Sequence, residues 1–215
     1  MRRATSMAFA PNMHVFPGGR VDSIDYEQQI VLTESTWEDI GLRASCDVDL
    51  ARALYSCAIR ETWEEARVRL VHMEDERWDI DPTSVVLFDH WVTPERDSKR
   101  YDVRFFMCEL PAEQDAILAT TEAVHVEWTR PQDALHRFEE GTLPMLPPTE
   151  SVLRYLADFA DSASAVADAW TRIVQPLLPR RSPSGAWDLV HAYSGEILMP
   201  AVDEPHTRED TGMPA

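Results

Sequence analysis

The run Arg60-Glu61-Thr62-Trp63-Glu64-Glu65 places three carboxylates at the end of a segment with helical periodicity. At about 100° per residue, Glu64 lies about 60° to one side of Glu61 and Glu65 about 40° to the other, so all three share an arc of roughly 100°. Like charges held this close raise one another's pKa. Water can relieve them, and so can a hard cation. An all-oxygen donor set suits magnesium or manganese. A solvated acidic helix end is the ordinary alternative. Against it, the acidic arc follows an apolar stripe (Leu50, Leu54, Cys57), while Tyr55, Ile59, Thr62, Trp63 and Ala66 form a second apolar face. The spacing predicts a helix from about Leu50 to Ala66, with Asp47 or Asp49 as its cap. Arg60 stands beside the acids, able to anchor a carboxylate or phosphate through its forked donors.

Upstream, Met-His-Val-Phe at 13–16 reads as a short strand stopped by Pro17-Gly18-Gly19, whose glycines permit close backbone approach to a ligand. Residues 22–48 are polar and acidic and read as an inserted loop with a short helix near Thr36 to Ile40. Downstream, Ser84 to Phe88, His90 to Val92, Val103 to Leu110 and Ala123 to Trp128 read as strands. Pro131 to Glu139 reads as a helix with proline in its first turn. Thr149 is the expected cap of a helix from Glu150 to about Ala160, followed by a helical patch over Ala165 to Val174. Trp187 to His191 and Glu196 to Met199 suggest a late hairpin, and 202–215 a polar, disordered tail. Strands on both sides of a central helix imply α/β or α+β architecture.

Composition bounds the function. The chain has 215 residues, 44% of them hydrophobic, and a net charge of −18. No basic footprint for a nucleic-acid duplex is present. A phosphate ligand therefore needs metal or a local arginine cluster. Cys46, Cys57 and Cys108 show no C-x-x-C spacing. No apolar run approaches the roughly 18 residues of a membrane span, and the start lacks a signal-peptide pattern. The expectation is a cytoplasmic protein, binding neither nucleic acid nor membrane, of open oligomeric state.

Arg60-Glu61-Thr62-Trp63-Glu64-Glu65-Ala66-Arg67-Val68 resembles the second half of the Nudix box, G-x5-E-x7-R-E-U-x-E-E-x-G-U, where U is bulky and apolar. Val15-Phe16-Pro17-Gly18-Gly19 resembles the usual lead into its first half. Gly19 and Arg60 are 41 positions apart (60 minus 19), against 14 in the ordinary box, so about 27 residues are inserted. An insertion here is similar to that of the peroxisomal coenzyme A diphosphatases and their bacterial relatives. His90-Trp91-Val92-Thr93-Pro94, Arg100-Tyr101-Asp102-Val103-Arg104-Phe105-Phe106, Glu122 with Trp128, and Leu146-Pro147-Pro148-Thr149 resemble the same branch. Two positions depart from the box. Counted back from Arg60, its first-half Glu falls at Arg52. Its closing Gly falls at Arg67, where a left-handed turn costs a non-glycine residue roughly 1 kcal/mol or more, unless the helix runs on.

The resemblance implies an α+β fold of α/β/α sandwich type, a mixed sheet between helices. Residues 1–160 would be the Nudix domain, with the insertion at about 22–48 and 161–201 an extension packing on it. Met1-Arg2-Arg3 resembles the tail of a first strand that is otherwise missing. Glu61, Glu64 and Glu65 would hold Mg²⁺ or Mn²⁺, with the Gly18 carbonyl as a further ligand. Arg60 would orient the carboxylates, and Arg60, Glu64 and Glu122 would form the catalytic set. Glu122 can equally be an exposed loop acid. Arg100 and Arg104 would meet substrate phosphates, or else keep a strand edge soluble. His14 reads as structural; Trp91 is core or the wall of a base pocket. The implied reaction is pyrophosphohydrolysis of a nucleoside diphosphate linked to another moiety. Coenzyme A or acyl-coenzyme A would give 3′,5′-ADP and a phosphopantetheine. The alternative is a weakened Nudix domain that binds nucleotide without turning it over.

Overall fold

The structure is a computed structural model and describes residues 1–33, 35–71, 77–97, 99–182 and 187–199. In chain order the elements are β1 (Arg2–Arg3), α1 (Ser23–Glu27), β2 (Gln29–Leu32), α2 (Trp37–Ala44), α3 (Val48–Ala66), β3 (Arg77–Ile80), β4 (Val85–Val92), β5 (Asp102–Cys108), β6 (Ala123–His125), α4 (Pro131–Glu139), α5 (Pro147–Ala157), α6 (Ser162–Thr171), β7 (Pro176–Arg181), β8 (Trp187–His191) and β9 (Ile197–Met199). The chain divides into two compact units. One holds Met1–His90 and Arg104–Val174; the other holds Trp91–Val103 and the residues from Gln175 onward.

The first unit is built around α3. The Asp47 side chain accepts from the Leu50 N–H at 2.8 Å and starts the helix. The periodicity that predicts this helix also predicts its buried face. Ala51, Tyr55 and Ile59 pack in one core with Ile30, Ile40, Trp78, Ile80 and Val85. Tyr55 meets Phe106 edge to face at 4.9 Å, a geometry favoured by the ring quadrupoles. Strand β4 is buried along its whole length, so it reads as a continuous apolar run with no alternation. Its alternate side chains feed different cores: Val85 joins the α3 core, while Val86 and Phe88 pack with Val152 of α5 and Val166 and Ala169 of α6. β5 repeats this alternation, Phe106 and Cys108 on the α3 side and Phe105 and Met107 on the other. Sheet between helices is the α+β architecture expected.

Several elements differ from expectation. Residues 13–16 form no strand; His14 makes only isolated bridges to Arg2 and Met145. The 22–48 stretch is no loop. It supplies α1, β2 and α2, and β2 pairs in parallel with β3, a strand the periodicity does not predict. Arg43 explains why α2 is fixed. Its guanidinium donates to the carbonyls of Leu87, Ala169, Trp170 and Arg172, at 2.6 to 2.9 Å, consuming free carbonyls at the end of α6. The two strand pieces at 84–92 are one strand, and β6 ends at His125. α5 begins at Pro147 with Leu146 as its cap, and Thr149 is buried inside its first turn. Proline's fixed φ starts the helix in place of a side-chain cap. β1 exists, paired antiparallel with β6.

In the second unit, the turn joining β4 to β5 closes through Thr93. Its N–H donates to the Tyr101 carbonyl, and its hydroxyl accepts from the Tyr101 N–H. β7, β8 and β9 follow as an antiparallel ladder, with Gly195 at φ 72° in the β8–β9 turn. The late hairpin is as predicted. The expected 202–215 tail lies outside the described residues.

Candidate active site

α3 ends where the box glycine would end it. Arg67 adopts the left-handed conformation, φ 57° and ψ 23°, and its N–H donates to the Trp63 carbonyl at 3.0 Å. The helix does not run on. The guanidinium carbons of Arg67 and Arg69 lie 5.1 and 4.5 Å from the Trp63 ring centre. Each such contact contributes about 0.5–1 kcal/mol at an exposed site, which offsets the backbone strain.

Along the last two turns, Glu61 is mostly buried, with 14% of its side chain exposed, whereas Glu64 is 53% exposed. Burial pushes the Glu61 carboxyl above its ordinary pKa, and the Arg60 hydrogen bond opposes it. Burial also raises Glu65; the Gly18 N–H opposes this, while Glu61 and Glu122 add to it. That N–H donates to Glu65 Oε2 at 2.9 Å. A Cβ on Gly19 would fall on the Glu61 carboxylate, so only glycine lets the turn close there. Cys57 Sγ, 3.9 Å from the Gly19 carbonyl, has its thiol pKa pushed up to about 12 by burial.

Arg60 links the acids. Nη1 donates to Glu61 Oε1 at 2.8 Å and to Glu64 Oε2 at 3.1 Å. Nη2 reaches the Arg20 carbonyl at 3.2 Å. Nε and Nη2 grip the two oxygens of Asp25 at 3.0 and 2.8 Å. Asp25 is fully buried. Burial alone would raise its pKa. The hydrogen bonds from Arg60, the Asp22 N–H and Ser56 outweigh burial and hold it below the ordinary value. The guanidinium pKa is raised in turn, chiefly by the bond to Asp25.

Asp25 corrects the sequence reading of Arg52. Counted forward from Gly19, G-x5-E places its acid at position 25, and Asp25 occupies it. The inserted residues follow this acid, so counting back from Arg60 across them lands wrongly on Arg52. That side chain instead stacks over Trp37 at 5.7 Å, with Asp49 at 3.8 Å. A forward count would have found the acid.

Glu122 comes near Glu65. The irregular segment leading to it is tied to the end of α3, the Ile117 N–H to the Ala66 carbonyl and the Ala119 N–H to the Glu65 carbonyl. Its carboxylate is 56% exposed and 3.9 Å from Arg3. Arg104 is half-buried on β5, in the same unit as the glutamates. Arg100 belongs to the other unit, where its Nε donates to the Thr93 carbonyl. His14 Nδ1 pairs with the Pro144 carbonyl at 3.2 Å, in keeping with a structural role. Trp91 is buried.

Among the described residues, no three acidic, histidine or cysteine side chains already converge as a metal-binding group. Glu61 and Glu64 turn to Arg60, and Glu65 turns to Gly18. The donor chemistry nevertheless fits a hard divalent cation. All donors are oxygen, and the half-buried carboxylates of Glu61 and Glu65 have raised pKa values, a shift that a bound cation would oppose.

No family model matches the chain. A Xenopus laevis protein named acyl-coenzyme A diphosphatase NUDT19 is 23% identical over 225 residues, covering 74% of this chain and 59% of that protein. A Caenorhabditis elegans protein bearing the name nudix hydrolase 7 is 21% identical, covering 84% of this chain and 61% of its own length. The chain thus spans about three-fifths of the curated relatives it matches. The crystal structure of a Nudix hydrolase from Alicyclobacillus acidocaldarius superposes with a TM-score of 0.64 at 24% identity, covering 77% of this chain and 85% of that one. The fold is therefore the Nudix fold. With the box residues assembled as described, the chain resembles these Nudix hydrolases in its fold and in its box sequence.

Proposed function

We propose that the chain is a metal-dependent pyrophosphohydrolase acting on a nucleoside diphosphate linked to another moiety, with coenzyme A or an acyl-coenzyme A as substrate. One arrangement carries this reading: Arg60, pinned by buried Asp25, gathers Glu61 and Glu64, while Gly18 holds Glu65. Glu61, Glu64 and Glu65 are the residues that would hold Mg²⁺ or Mn²⁺, with the Gly18 carbonyl as a further oxygen donor. The ion would neutralise pyrophosphate oxygens and lower the pKa of an attacking water. Glu122, exposed and an electrostatic neighbour of Glu65, would take the proton of that water. Arg104, in the same unit as the glutamates, would offset substrate phosphate charge. Attack at one phosphorus breaks the bridging P–O bond and leaves two monophosphates, here 3′,5′-ADP and a phosphopantetheine species.

The substrate class rests on the branch resemblance and on the name of the Xenopus laevis relative, since fold alone does not fix chemistry. The non-catalytic alternative leaned on Arg52 and Arg67. It weakens once Asp25 supplies the box acid and Arg67 makes the box turn. Among the described residues no helix is long and apolar enough to cross a membrane.

The test is product analysis after incubation with Mn²⁺ or Mg²⁺ and a panel of coenzyme A, acyl-coenzyme A, NADH and ADP-ribose. Release of 3′,5′-ADP that Glu64→Gln abolishes supports the reading. An intact panel at high enzyme concentration sinks it.

A further inference from the structure

The carboxylate of Asp25 is immobilised by four donors, two to each oxygen. Oδ1 accepts from Arg60 Nε at 3.0 Å and from Ser56 Oγ at 3.1 Å. Oδ2 accepts from Arg60 Nη2 at 2.8 Å and from the Asp22 N–H at 2.9 Å. Each oxygen therefore carries one arm of the guanidinium fork and one fixing donor. The Asp22 donor is backbone, set by the first turn of α1. The Ser56 donor is a side chain on α3, one turn before Arg60 and only 2% exposed. With both in place the carboxylate cannot pivot about its Cβ–Cγ bond. The forked pair then fixes the plane of the guanidinium, and with it the Nη1 atom that meets Glu61 and Glu64.

We infer that Ser56 is a positioning residue of this site: its buried hydroxyl locks Asp25, and through it Arg60, in the orientation that gathers Glu61 and Glu64. The inference rests on the pyrophosphohydrolase reading for its kinetic consequence. Its geometry is independent of that reading. Without the hydroxyl, Asp25 keeps Arg60 but rotates about the remaining Asp22 bond. The guanidinium then samples orientations that leave Glu61 and Glu64 apart. Small misplacements of positioning groups are costly to rate, and the loss of one hydrogen bond to a buried charge is of the order of tenfold.

The experiment is a double-mutant cycle on the full chain, with Ser56→Ala, Arg60→Lys and the double variant. It reads kcat and KM on whichever substrate of the panel the wild type cleaves, and Mn²⁺ affinity by titration without substrate. Ser56→Ala is expected to lower kcat about tenfold with KM nearly unchanged, and to weaken Mn²⁺ binding. In the Arg60→Lys background it should have little further effect, because residues acting through one another are non-additive. A merely structural serine would lower the melting temperature while leaving kcat below the melt untouched, or would add its full effect in the Arg60→Lys background. Either result overturns the inference. If Ser56→Ala does not fold, Ser56→Cys, a weaker donor, takes its place with the same expectations. If the wild type cleaves nothing, the pyrophosphohydrolase reading fails alone, and the Mn²⁺ cycle decides the role of Ser56.

Discussion

Asp25 and Arg60, 35 residues apart in the chain, meet through two hydrogen bonds of 3.0 and 2.8 Å, with the aspartate wholly shielded from solvent and only 15% of the arginine side chain exposed. The first half of the box, on α1, is thereby anchored to its second half on α3. Removing one partner of a buried pair strands the other's charge and costs about 3–5 kcal/mol. Asp25→Ala should therefore cost about 3 kcal/mol in urea unfolding and bring turnover close to background. Wild-type stability and rate in this variant would refute the pairing.

The same pair sets a pH dependence with a definite sign. The folded-state pKa of Asp25 lies below its ordinary value. The stability it contributes is thus present above the unfolded pKa and lost as pH falls through the folded one. Wild-type protein should lose stability on acidification below about pH 4 more steeply than Asp25→Asn, which has no carboxylate to protonate. Parallel unfolding curves against pH for the two proteins would count against this assignment.

Glu61 and Glu65 have the opposite sign. Burial raises both above the ordinary glutamate value, so in the metal-free protein their ionisation destabilises the fold as pH rises through their folded pKa values. A divalent cation binds the ionised forms and releases protons. Millimolar Mn²⁺ should therefore raise the melting temperature more at pH 7.5 than at pH 5. An equal shift at both pH values would argue against these carboxylates as ligands.

Gly19 has no room for a side chain against the Glu61 carboxylate. Gly19→Ala should displace either the turn or the glutamate. The expected outcome is at least a roughly tenfold fall in turnover, with stability changed by less than about 1 kcal/mol because the turn is exposed. Unchanged kinetics would mean that the turn shifts freely.

Arg67 pairs a strained backbone with a ring contact, and substitutions separate the two. Arg67→Ala keeps the left-handed strain and loses the contact with Trp63, whereas Arg67→Gly loses both. The glycine variant should be more stable than the alanine variant by about 1 kcal/mol. Equal melting temperatures for the two would show that the turn carries no strain.

By itself the sequence determined the α3 helix, an aspartate cap at Asp47 or Asp49, the arc of Glu61, Glu64 and Glu65, and the apolar strands that follow the helix. Each is a local property: helical spacing, a capping carboxylate, an apolar run bounded by proline. It also held the acid of the box, in the forward spacing from Gly19 to Asp25, although the interposed residues hide it from a backward count. Only the tertiary structure decided that 22–48 holds α1, β2 and α2. Arg43 answers carbonyls more than 120 residues away, and β2 needs β3 beside it. Only the tertiary structure decided that Glu61 and Glu65 are screened from water while Glu64 is open. An arc on a helix wheel gives direction but not what packs against it. That packing is the Gly18-Gly19 turn, brought onto the helix from 40-odd residues upstream, and through it sequence neighbours of identical chemistry acquire different burial.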